Sequence, residues 1–384
     1  MKALFCHDTY YFDDGDTVFS YGAFPYALWR DRYLPHCDAV RVIGRAKNAK
    51  DGTPELSSGA NVSFCLLENI NTPFKRIFGA RKIYRHILAE VQAADIVIIR
   101  GPVEFGMMAA KAARRTRTPY VVEMSGCAFD HTWYHGSLIG KLYAPIKYLR
   151  ARHMVKHADA VLSVTQNFLQ KRYPNARQCE HASNVEIARP DDNVLQNRLS
   201  KPAPDKIIFG LIGNHTNHLK GLPVALKALA RIKDQIGDFE LRILGQGDPG
   251  KWASLIQGLG LYPHVRFDGT LPGGEAVLGW LDDIDIYLQP SYHEGLPRAL
   301  IESMSRGCPA LSSNAGGTDE LLIHSLIHKK GDHKTLSQHI LSLLDDDLKA
   351  HSTRNFEIAQ RYTKDALTPR RHAFYAHIFA TLKD

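Results

Sequence analysis

The stretch Ile284-Asp285-Ile286-Tyr287-Leu288-Gln289-Pro290 decides the fold, because this short, largely apolar run leads directly into a turn and a helix. The turn is Ser291-Tyr292-His293-Glu294-Gly295-Leu296-Pro297, and residues 298–306 then follow a helical pattern. A short apolar run between helical patterns is typical of a parallel strand covered on both faces. Strand, turn and helix in this order are one unit of an α/β fold.

The same alternation extends over the rest of the chain. In the first half, apolar runs predict strands at residues 3–6, 39–44, 95–100, 119–124 and 159–164, with a helix at 106–117. In the second half, strands are predicted at 206–213, 239–245, 265–267 and 309–313, with helices at 223–233 and 274–281. Two successive sets of such units predict an α/β protein with two doubly wound, Rossmann-like domains.

The length of 384 residues supports two domains, since a domain usually has about 100–200 residues. Polar, proline-rich stretches at 188–193 and 200–205 indicate a linker near 190–205. We therefore expect an N-terminal domain at 1–195 and a C-terminal domain at 196–360. A helical segment at 361–384 is expected to pack back on the N-terminal domain.

Composition excludes several classes of protein. Apolar residues make up 44% of the chain and charged residues 23%, as in ordinary globular proteins. The sequence has no run of about 18 apolar residues, and a charge within the first eight residues argues against a secretory signal. Six scattered cysteines without a CxxC pair favour free thiols. We therefore expect a cytoplasmic protein.

Basic charge is concentrated in the first half. Residues 1–200 contain 27 Lys and Arg against 19 Asp and Glu, whereas residues 201–384 contain 21 of each. Residues 74–88 place an apolar stripe beside five Lys or Arg, which predicts either contact with an anionic membrane surface or a core-packed helix with a solvated basic face. The stripe consists of Phe74, Ile77, Phe78, Tyr84, Ile87 and Leu88. A second basic run at 141–156 indicates the same partner, and no nucleic-acid-binding module is recognisable.

Two carboxylates flank the turn that follows residues 284–290. Glu294 precedes the predicted helix and Glu302 lies inside it. A helix N-terminus at the carboxyl end of a parallel strand offers free amides and a positive dipole end to a diphosphate. Gly295 allows a tight turn, and a carboxylate accepts the two hydrogen bonds of a sugar or ribose diol. The alternative is an ordinary helix-start carboxylate and a solvated surface glutamate.

A second strand, glycine, loop and helix follow one another at residues 211–221. Gly213 begins the loop, and Lys220 at the helix start can reach a phosphate as a point charge. This loop would form a second wall of the same phosphate pocket, although a lone lysine is also compatible with a plain surface position. Gly245, in the turn at 244–248, follows the next strand and is equally compatible with a simple turn.

These residues resemble the family-four retaining glycosyltransferases of the GT-B architecture. Glu294 and Glu302 match that family's E-x7-E signature, and residues 306–309 and 316–320 continue the pattern in register. Lys220-Gly221 resembles its phosphate-binding element. Residues 21–25, 120–123, 134–138 and 168–174 resemble members from polysaccharide gene clusters. The resemblance covers nearly the whole chain and implies two Rossmann-like domains that face each other across a cleft.

The resemblance also implies a role for each site residue. Glu294 would contact the donor sugar, Glu302 would hold the ribose hydroxyls, and Lys220 with nearby amides would bind the diphosphate leaving group. The implied donor-binding residues are Gly22, Gly213, Asn214, Lys220, Gly245, Glu294, Gly295, Leu296 and Glu302. The implied catalytic residues are Glu294, Lys220 and His135.

The sequence departs from the family pattern at several positions. Asn214 stands where the family usually has arginine, and Ala23 stands where a second glycine is common. Residues 125–127 lack the histidine that often follows the strand at 120–124. His131 or His135 could replace it, and either could equally be a packing or surface histidine.

The expected function is transfer of a hexose-type sugar from a nucleotide diphosphate sugar, with UDP-sugar favoured and GDP-sugar as the alternative. The acceptor would be a saccharide or a polyprenyl-diphosphate-linked saccharide, and the product a capsule, O-antigen or exopolysaccharide. No metal or cofactor is required, because the Asp pairs at 14–16 and 283–285 are explained as turn or capping carboxylates. A similar phosphorylase remains an alternative, as does a nucleotide-binding pseudoenzyme, which the asparagine at 214 would favour.

Overall fold

A computed structural model describes residues 1–20, 24–47, 54–68, 73–185 and 187–382, excluding the side chains of residues 73–78. The chain divides into two compact units. Unit 1 comprises Met1–Phe129, Tyr143–Ala182 and Pro369–Asp384, and unit 2 comprises Asp130–Leu142 and Ser183–Thr368. Residues 130–142 and 183–195, which the sequence pattern placed with the N-terminal domain, therefore cluster with unit 2.

Unit 1 is built on a sheet of nine strands within the described residues. The strands are β1 (Lys2–Asp13), β2 (Val18–Ser20), β3 (Ala39–Ala46), β4 (Glu55–Leu56), β5 (Val62–Leu67), β6 (Ile96–Gly101), β7 (Tyr120–Met124), β8 (Ala160–Ser163) and β9 (Gln178–His181). The parallel strands run in the order β5-β3-β1-β6-β7-β8-β9, and the short strands β2 and β4 add an antiparallel extension to the end of β1. The strand order reverses at β1, as in a doubly wound sheet.

Six α-helices lie between residues 26 and 172 of the described chain, and most of them belong to unit 1. They are α1 (Tyr26–Arg32), α2 (Pro73–Gln92), α3 (Glu104–Thr116), α4 (Ala128–Trp133), α5 (Leu138–Lys156) and α6 (Phe168–Arg172). The central strands β6, β7 and β8 are almost entirely buried, as expected for parallel strands with helices on both faces.

Unit 2 repeats the architecture with a six-stranded parallel sheet among the described residues. Its strands are β10 (Ile207–Ile212), β11 (Phe239–Leu244), β12 (Val265–Gly269), β13 (Ile286–Gln289), β14 (Ala310–Ser313) and β15 (Ile327–His328). Its helices are α7 (Asp192–Leu199), α8 (Leu222–Ile232), α9 (Gly250–Gly258), α10 (Glu275–Asp282), α11 (Arg298–Ser305), α12 (His333–Leu344) and α13 (Leu348–Ala359). The strand order β12-β11-β10-β13-β14-β15 reverses at β10. The prediction of two doubly wound α/β units is confirmed.

The last helix, α14 (Lys364–Thr381), begins in unit 2 and continues into unit 1. Its Tyr375 hydroxyl donates a hydrogen bond to the buried carboxylate of Glu123 in β7. The His36 and His372 side chains also lie within hydrogen-bond distance, 2.9 Å apart. The C-terminal residues are thus part of the packing of unit 1.

Helix α2 contains the apolar stripe at 74–88, for which the sequence predicted either a membrane contact or packing in the core. Ile87 is fully buried and Ile83 beside it is 3% exposed, so this part of α2 packs into the core with its basic residues outside. The side chains of Phe74, Ile77 and Phe78 lie outside the described residues. Within the described chain, no helix has the length and apolar content needed to cross a bilayer.

Candidate active site

The candidate site lies at the carboxyl ends of β10 and β13, where the strand order of unit 2 reverses. The two strands pair directly, with Phe209 opposite Ile286 and Gly210 opposite Tyr287. Connections leave two such strands in opposite directions, so a crevice opens between their following loops. The loop at 213–221 follows β10 and the loop at 290–297 follows β13, which brings together the two stretches singled out from the sequence.

Glycines allow these loops to approach one another closely. Gly221 has a φ of +75°, and a Cβ there would lie 1.9 Å from the carbonyl oxygen of Pro290. A Cβ on Gly213 would lie 2.6 Å from Cγ of Lys220. Gly245 lies against the same loop, since its Cβ would be 2.2 Å from the Gly213 carbonyl oxygen. Close backbone contact therefore requires glycine at 221 and 245, whereas glycine at 213 leaves room for the Lys220 side chain.

Lys220 and Glu294 form an ion pair across the two loops. The Lys220 ammonium donates a hydrogen bond of 2.7 Å to Oε1 of Glu294. The lysine side chain is 32% exposed and the glutamate side chain 11% exposed, so the lysine forms the more accessible side of the pair. An entering anion can therefore reach the ammonium group.

The charge of Glu294 is maintained by its neighbours. Burial alone would raise the pKa of this carboxyl group, but the Lys220 ammonium and hydrogen bonds from Lys220 and Ser291 outweigh it. The pKa of Glu294 consequently lies below its ordinary value. The carboxylate is ionised at neutral pH.

A buried polar network orients Glu294 from behind. The Gln289 amide donates to Glu294 Oε1 at 2.9 Å and to the Ser291 hydroxyl at 2.8 Å. Its own Oε1 accepts a 2.6 Å hydrogen bond from the Tyr287 hydroxyl. The sequence pattern does not predict Gln289 and Tyr287 as site residues. Their only sequence signal is the presence of polar groups in a strand that is otherwise buried.

The turn after Glu294 presents backbone amides. The amide groups of Glu294, Gly295 and Leu296 donate no hydrogen bond to any residue in the described ranges. The turn is fixed from the other side, because the Gly295 carbonyl accepts a 2.8 Å hydrogen bond from the Gly317 amide. Free, rigidly held amides beside a lysine suit the binding of a phosphate group.

Glu302 lies on α11, half-buried, and burial raises the pKa of its carboxyl group while Arg298 partly offsets that rise. Its carboxylate makes no hydrogen bond to other residues of the described chain. A carboxylate that is shielded from water and has no protein donor is suited to accept hydrogen bonds from ligand hydroxyls.

Asn214, which replaces the arginine usual in the family, is engaged locally. Its Oδ1 accepts hydrogen bonds from the Thr216 amide at 2.9 Å and from the Thr216 hydroxyl at 2.6 Å. The residue is exposed and shapes the loop at 213–221. Gly22 lies outside the described residues.

A segment distant in sequence packs beside the Glu294 loop within unit 2. Asp130 forms a buried 2.8 Å ion pair with Lys330. The His131 ring lies 5.2 Å from that of His293, and the His135 ring lies 6.3 Å from that of His131. The structure thus brings His131 against the residue adjacent to Glu294, whereas His135 is exposed and further along. The sequence does not predict this contact between His131 and the Glu294 loop, because more than 150 residues separate the two segments.

The Asp pairs considered from the sequence occupy turns and strand ends. Asp14 accepts a 2.8 Å hydrogen bond from the Thr17 amide, and Asp285 accepts one of 2.8 Å from the Ile208 amide. Over the described ranges, no group of three or more His, Cys, Asp and Glu side chains is arranged to hold a metal ion.

Because His293 is buried, we expect the folded protein to lose stability at acidic pH. Burial lowers its pKa to about 4, and the carboxylates of Glu294 and Asp130 only partly offset this effect. The unfolded chain has a histidine pKa of about 6.5, so folding excludes a proton and stability falls as pH drops from about 6.5 towards 4. When the pH is lowered from about 7 to 4.5, the unfolding free energy of the wild type should therefore decrease more than that of His293→Gln. The difference between the two decreases should be on the order of 2 kcal/mol. Urea unfolding at several pH values measures this, and parallel curves would refute it.

Comparisons with known proteins agree with this geometry. Residues 196–360 match the family described as Glycosyl transferases group 1, and residues 39–171 match the Glycosyl transferase 4-like domain. Protein CapJ of Staphylococcus aureus is 32% identical over 349 residues, which cover 89% of this chain and 87% of CapJ. The amylovoran biosynthesis glycosyltransferase AmsK of Erwinia amylovora is 36% identical over 134 residues, which cover 32% of this chain and 33% of AmsK.

A solved structure shows the same fold over the full length. Anabaena HepE in complex with UDP-glucose superposes with a TM-score of 0.65, covering 99% of this chain and 100% of HepE at 16% identity. Three observations therefore agree: the family matches in both halves, the extended similarity to CapJ, and the shared fold. The chain belongs to the group 1 and family-four-like glycosyltransferases and has their GT-B fold.

Proposed function

We propose that this glycosyltransferase moves a hexose-type sugar from a nucleotide diphosphate sugar, preferentially a UDP-sugar, to a saccharide or polyprenyl-diphosphate-linked acceptor with retention of configuration. The observation that carries the proposal is the Lys220–Glu294 pair beside the free amides of Gly295 and Leu296. This combination offers positive charge for a diphosphate and negative charge for an electron-poor sugar carbon within one crevice.

The chemistry follows from the accessibility of the pair. An entering diphosphate carries more negative charge than one carboxylate, so it competes with Glu294 for the Lys220 ammonium. Lys220 and the amides at 294–296 then stabilise the charge that develops as the sugar–phosphate bond breaks. Glu294, held in place by Gln289, faces the positive charge that develops at the anomeric carbon. The acceptor hydroxyl oxygen forms the new bond to the anomeric carbon as the nucleotide diphosphate leaves and takes up the hydroxyl proton, so this scheme requires no protein nucleophile.

The remaining predicted residues have supporting roles in the proposal. Glu302 would accept hydrogen bonds from the ribose hydroxyls, because it is half-buried with no donor among the described residues. Gly213 and Gly245 would let the backbone approach the nucleotide. Gly22 and His135 remain predictions. We further propose that the N-terminal domain at 1–195 binds the acceptor and that the C-terminal domain at 196–360 binds the nucleotide sugar.

The comparisons support the biological setting of the proposal. AmsK is named for amylovoran biosynthesis, and the HepE structure contains UDP-glucose. We therefore propose a role in surface polysaccharide biosynthesis, such as capsule, O-antigen or exopolysaccharide. The reaction would occur in the cytoplasm, at the inner membrane face where lipid-linked acceptors are exposed.

A nucleotide screen tests the donor class. UDP at about 100 times its dissociation constant should add about 2.7 kcal/mol to the unfolding free energy, which raises Tm by several degrees. GDP should have less effect. Glu302→Gln should weaken UDP binding about tenfold through loss of a charged hydrogen-bond acceptor, whereas the exposed α10 variant Glu275→Gln should bind normally.

Two outcomes of this screen contradict the proposal. Stabilisation by inorganic phosphate without any nucleotide effect would indicate a phosphorylase. A clear UDP shift without release of UDP from any UDP-sugar and acceptor mixture would indicate a nucleotide-binding pseudoenzyme.

A further inference from the structure

A short segment of unit 2 lies against both loops of the candidate site. This segment, residues 130–136, clusters with unit 2 although it is distant in sequence from the two loops. Its His131 ring lies 5.2 Å from the ring of His293 in the loop after β13. A Cβ on its Gly136 would lie 3.3 Å from Cε1 of His218 in the loop after β10. We refer to residues 130–136 as the strap.

A buried ion pair fastens the strap. The Lys330 ammonium donates a hydrogen bond of 2.8 Å to Oδ2 of Asp130, and the two side chains are 13% and 4% exposed. The Lys330 amide donates to Oδ1 of Asn314 at 3.1 Å, which anchors its backbone beside the end of β14. Desolvation offsets much of the attraction in a buried ion pair. We therefore expect the pair to fix the orientation of the strap more than to add stability.

Two aromatic rings connect the ion pair to the loop after β13. The Lys330 ammonium lies 5.1 Å from the centre of the Tyr134 ring, and the centres of the Tyr134 and Tyr292 rings are 5.3 Å apart. Cation–π and aromatic contacts are favourable at these distances. On another side, a Cβ on Gly331 would lie 3.1 Å from the Tyr292 hydroxyl oxygen, so the Tyr292 side chain is closely confined.

Tyr292 lies where the two loops of the site join. Its amide donates a hydrogen bond of 2.8 Å to the Leu219 carbonyl. Leu219 directly precedes Lys220, and Tyr292 lies two residues before Glu294. A displacement of Tyr292 would therefore change the separation between the Lys220 ammonium and the Glu294 carboxylate.

The charges of the ion pair also act on the Glu294 loop. Burial is the main cause of the low pKa of His293, while the negative charge of Asp130 raises this pKa and the positive charge of Lys330 lowers it. Charges shift the pKa of a neighbouring group at short range. Both ends of the ion pair therefore lie beside the residue that precedes Glu294.

We propose that Lys330 is a positioning residue for binding of the donor diphosphate. Through the strap it holds the two loops in register, so that Lys220 and Glu294 meet in the geometry that receives the diphosphate. Lys330 acts through Tyr292 and needs no contact with the donor. This inference deepens the proposed function and rests on it, because the ligand is the same nucleotide diphosphate. The alternative is that the ion pair only stabilises the fold.

The affinity for UDP, measured by titration calorimetry well below Tm, tests this role. Lys330→Met should weaken UDP binding roughly tenfold, within the range of couplings that packed networks carry. Lys330→Arg should recover most of the affinity, because it keeps the positive charge of the ion pair. Lys329→Met removes an exposed charge from the adjacent residue and should bind UDP as the wild type does. Loss of fold stability alone would not change the affinity of the folded protein.

A double-mutant cycle shows whether Lys330 acts through Lys220. In a Lys220→Met background, Lys330→Met should change the UDP affinity by less than about twofold, since the group that it positions is already absent. In a Glu302→Gln background, its full effect should persist. Tyr134→Leu leaves the ion pair in place but removes the ring contact, and it should also weaken UDP binding. This variant keeps the proposal testable if Lys330→Met does not fold.

The outcomes distinguish this proposal from the proposed function. Equal UDP affinity of the wild type, Lys330→Met and Tyr134→Leu would overturn the positioning role and leave the donor class intact. The same would follow from an equal effect of Lys330→Met in both backgrounds, or from an equal loss in Lys329→Met. A wild type that binds neither UDP nor GDP would refute the proposed function and the positioning role together.

Discussion

Replacement of Lys220 by methionine should lower kcat for sugar transfer about 10²–10³-fold, the effect expected when one preorganised group that stabilises developing negative charge is removed. The ammonium lies at the crevice between the loops after β10 and β13, and it is the partner that holds Glu294 ionised. The variant leaves Glu294 buried without its counter-ion, which raises the pKa of that carboxyl group. Release of UDP from the donor in the presence of acceptor measures the effect.

A second lysine of the same region serves as the control for Lys220. Lys227 is exposed on α8, so Lys227→Met removes the same charge from the helix that follows the loop without touching the site. It should retain wild-type kcat. Wild-type turnover by Lys220→Met would contradict the assignment of the phosphate crevice.

Replacement of Glu123 by glutamine should destabilise the protein by about 3–5 kcal/mol, the cost of removing one partner from a buried ion pair. Glu123 is 4% exposed, and its carboxylate lies 3.6 Å from Arg100 and 4.0 Å from Arg32. Arg371 of α14 is also buried nearby, and burial followed by repulsion from Arg32 lowers its pKa to about 10. Without the carboxylate, Arg100 and Arg32 would lose the negative charge that Glu123 contributes to this buried cluster.

The hydrogen bonds of Glu123 strengthen this expectation. Tyr33 donates to Oε1 at 2.8 Å and Tyr375 of α14 donates to the same atom, so the substitution also weakens the attachment of the last helix. Urea unfolding measures the loss. Glu90→Gln is the matched control, because Glu90 pairs with a partly exposed Arg41 at 3.0 Å and such pairs contribute about 1 kcal/mol or less. Equal decreases in unfolding free energy in the two variants would show that Glu123 stabilises the fold no more than a partly exposed ion pair does.

The strands and helices near the site were predictable from local patterns. The predicted strand at 206–213 corresponds to β10 and the predicted helix at 298–306 to α11, each within one residue at either end. Residues 3–6 were predicted as a short strand, whereas β1 extends from Lys2 to Asp13. Its second half has polar residues at 7–9 and aromatic residues at 10–12, so it lacks the apolar pattern of residues 3–6. Its last residues pair with β2 in a local hairpin, with Asp13 opposite Val18.

The sequence predicts the loops that carry Lys220 and Glu294, but it does not predict the contact between these two side chains. Each residue follows a recognisable strand and glycine, so the sequence predicts two phosphate-binding loops. That they meet at 2.7 Å depends on β10 and β13 being neighbours, which the strand order of the folded sheet determines.

The sequence by itself determined the α/β class, the two sets of strands and the two strand–glycine–helix loops that carry Lys220 and Glu294, because apolar periodicity and turn glycines act over a few neighbouring positions. Only the tertiary structure decided that Gln289 orients Glu294 and that His131 lies against His293. It also decided that Ile87 of α2 is buried. These outcomes depend on which surfaces the folded chain covers, and burial is a property of contacts between residues far apart in sequence.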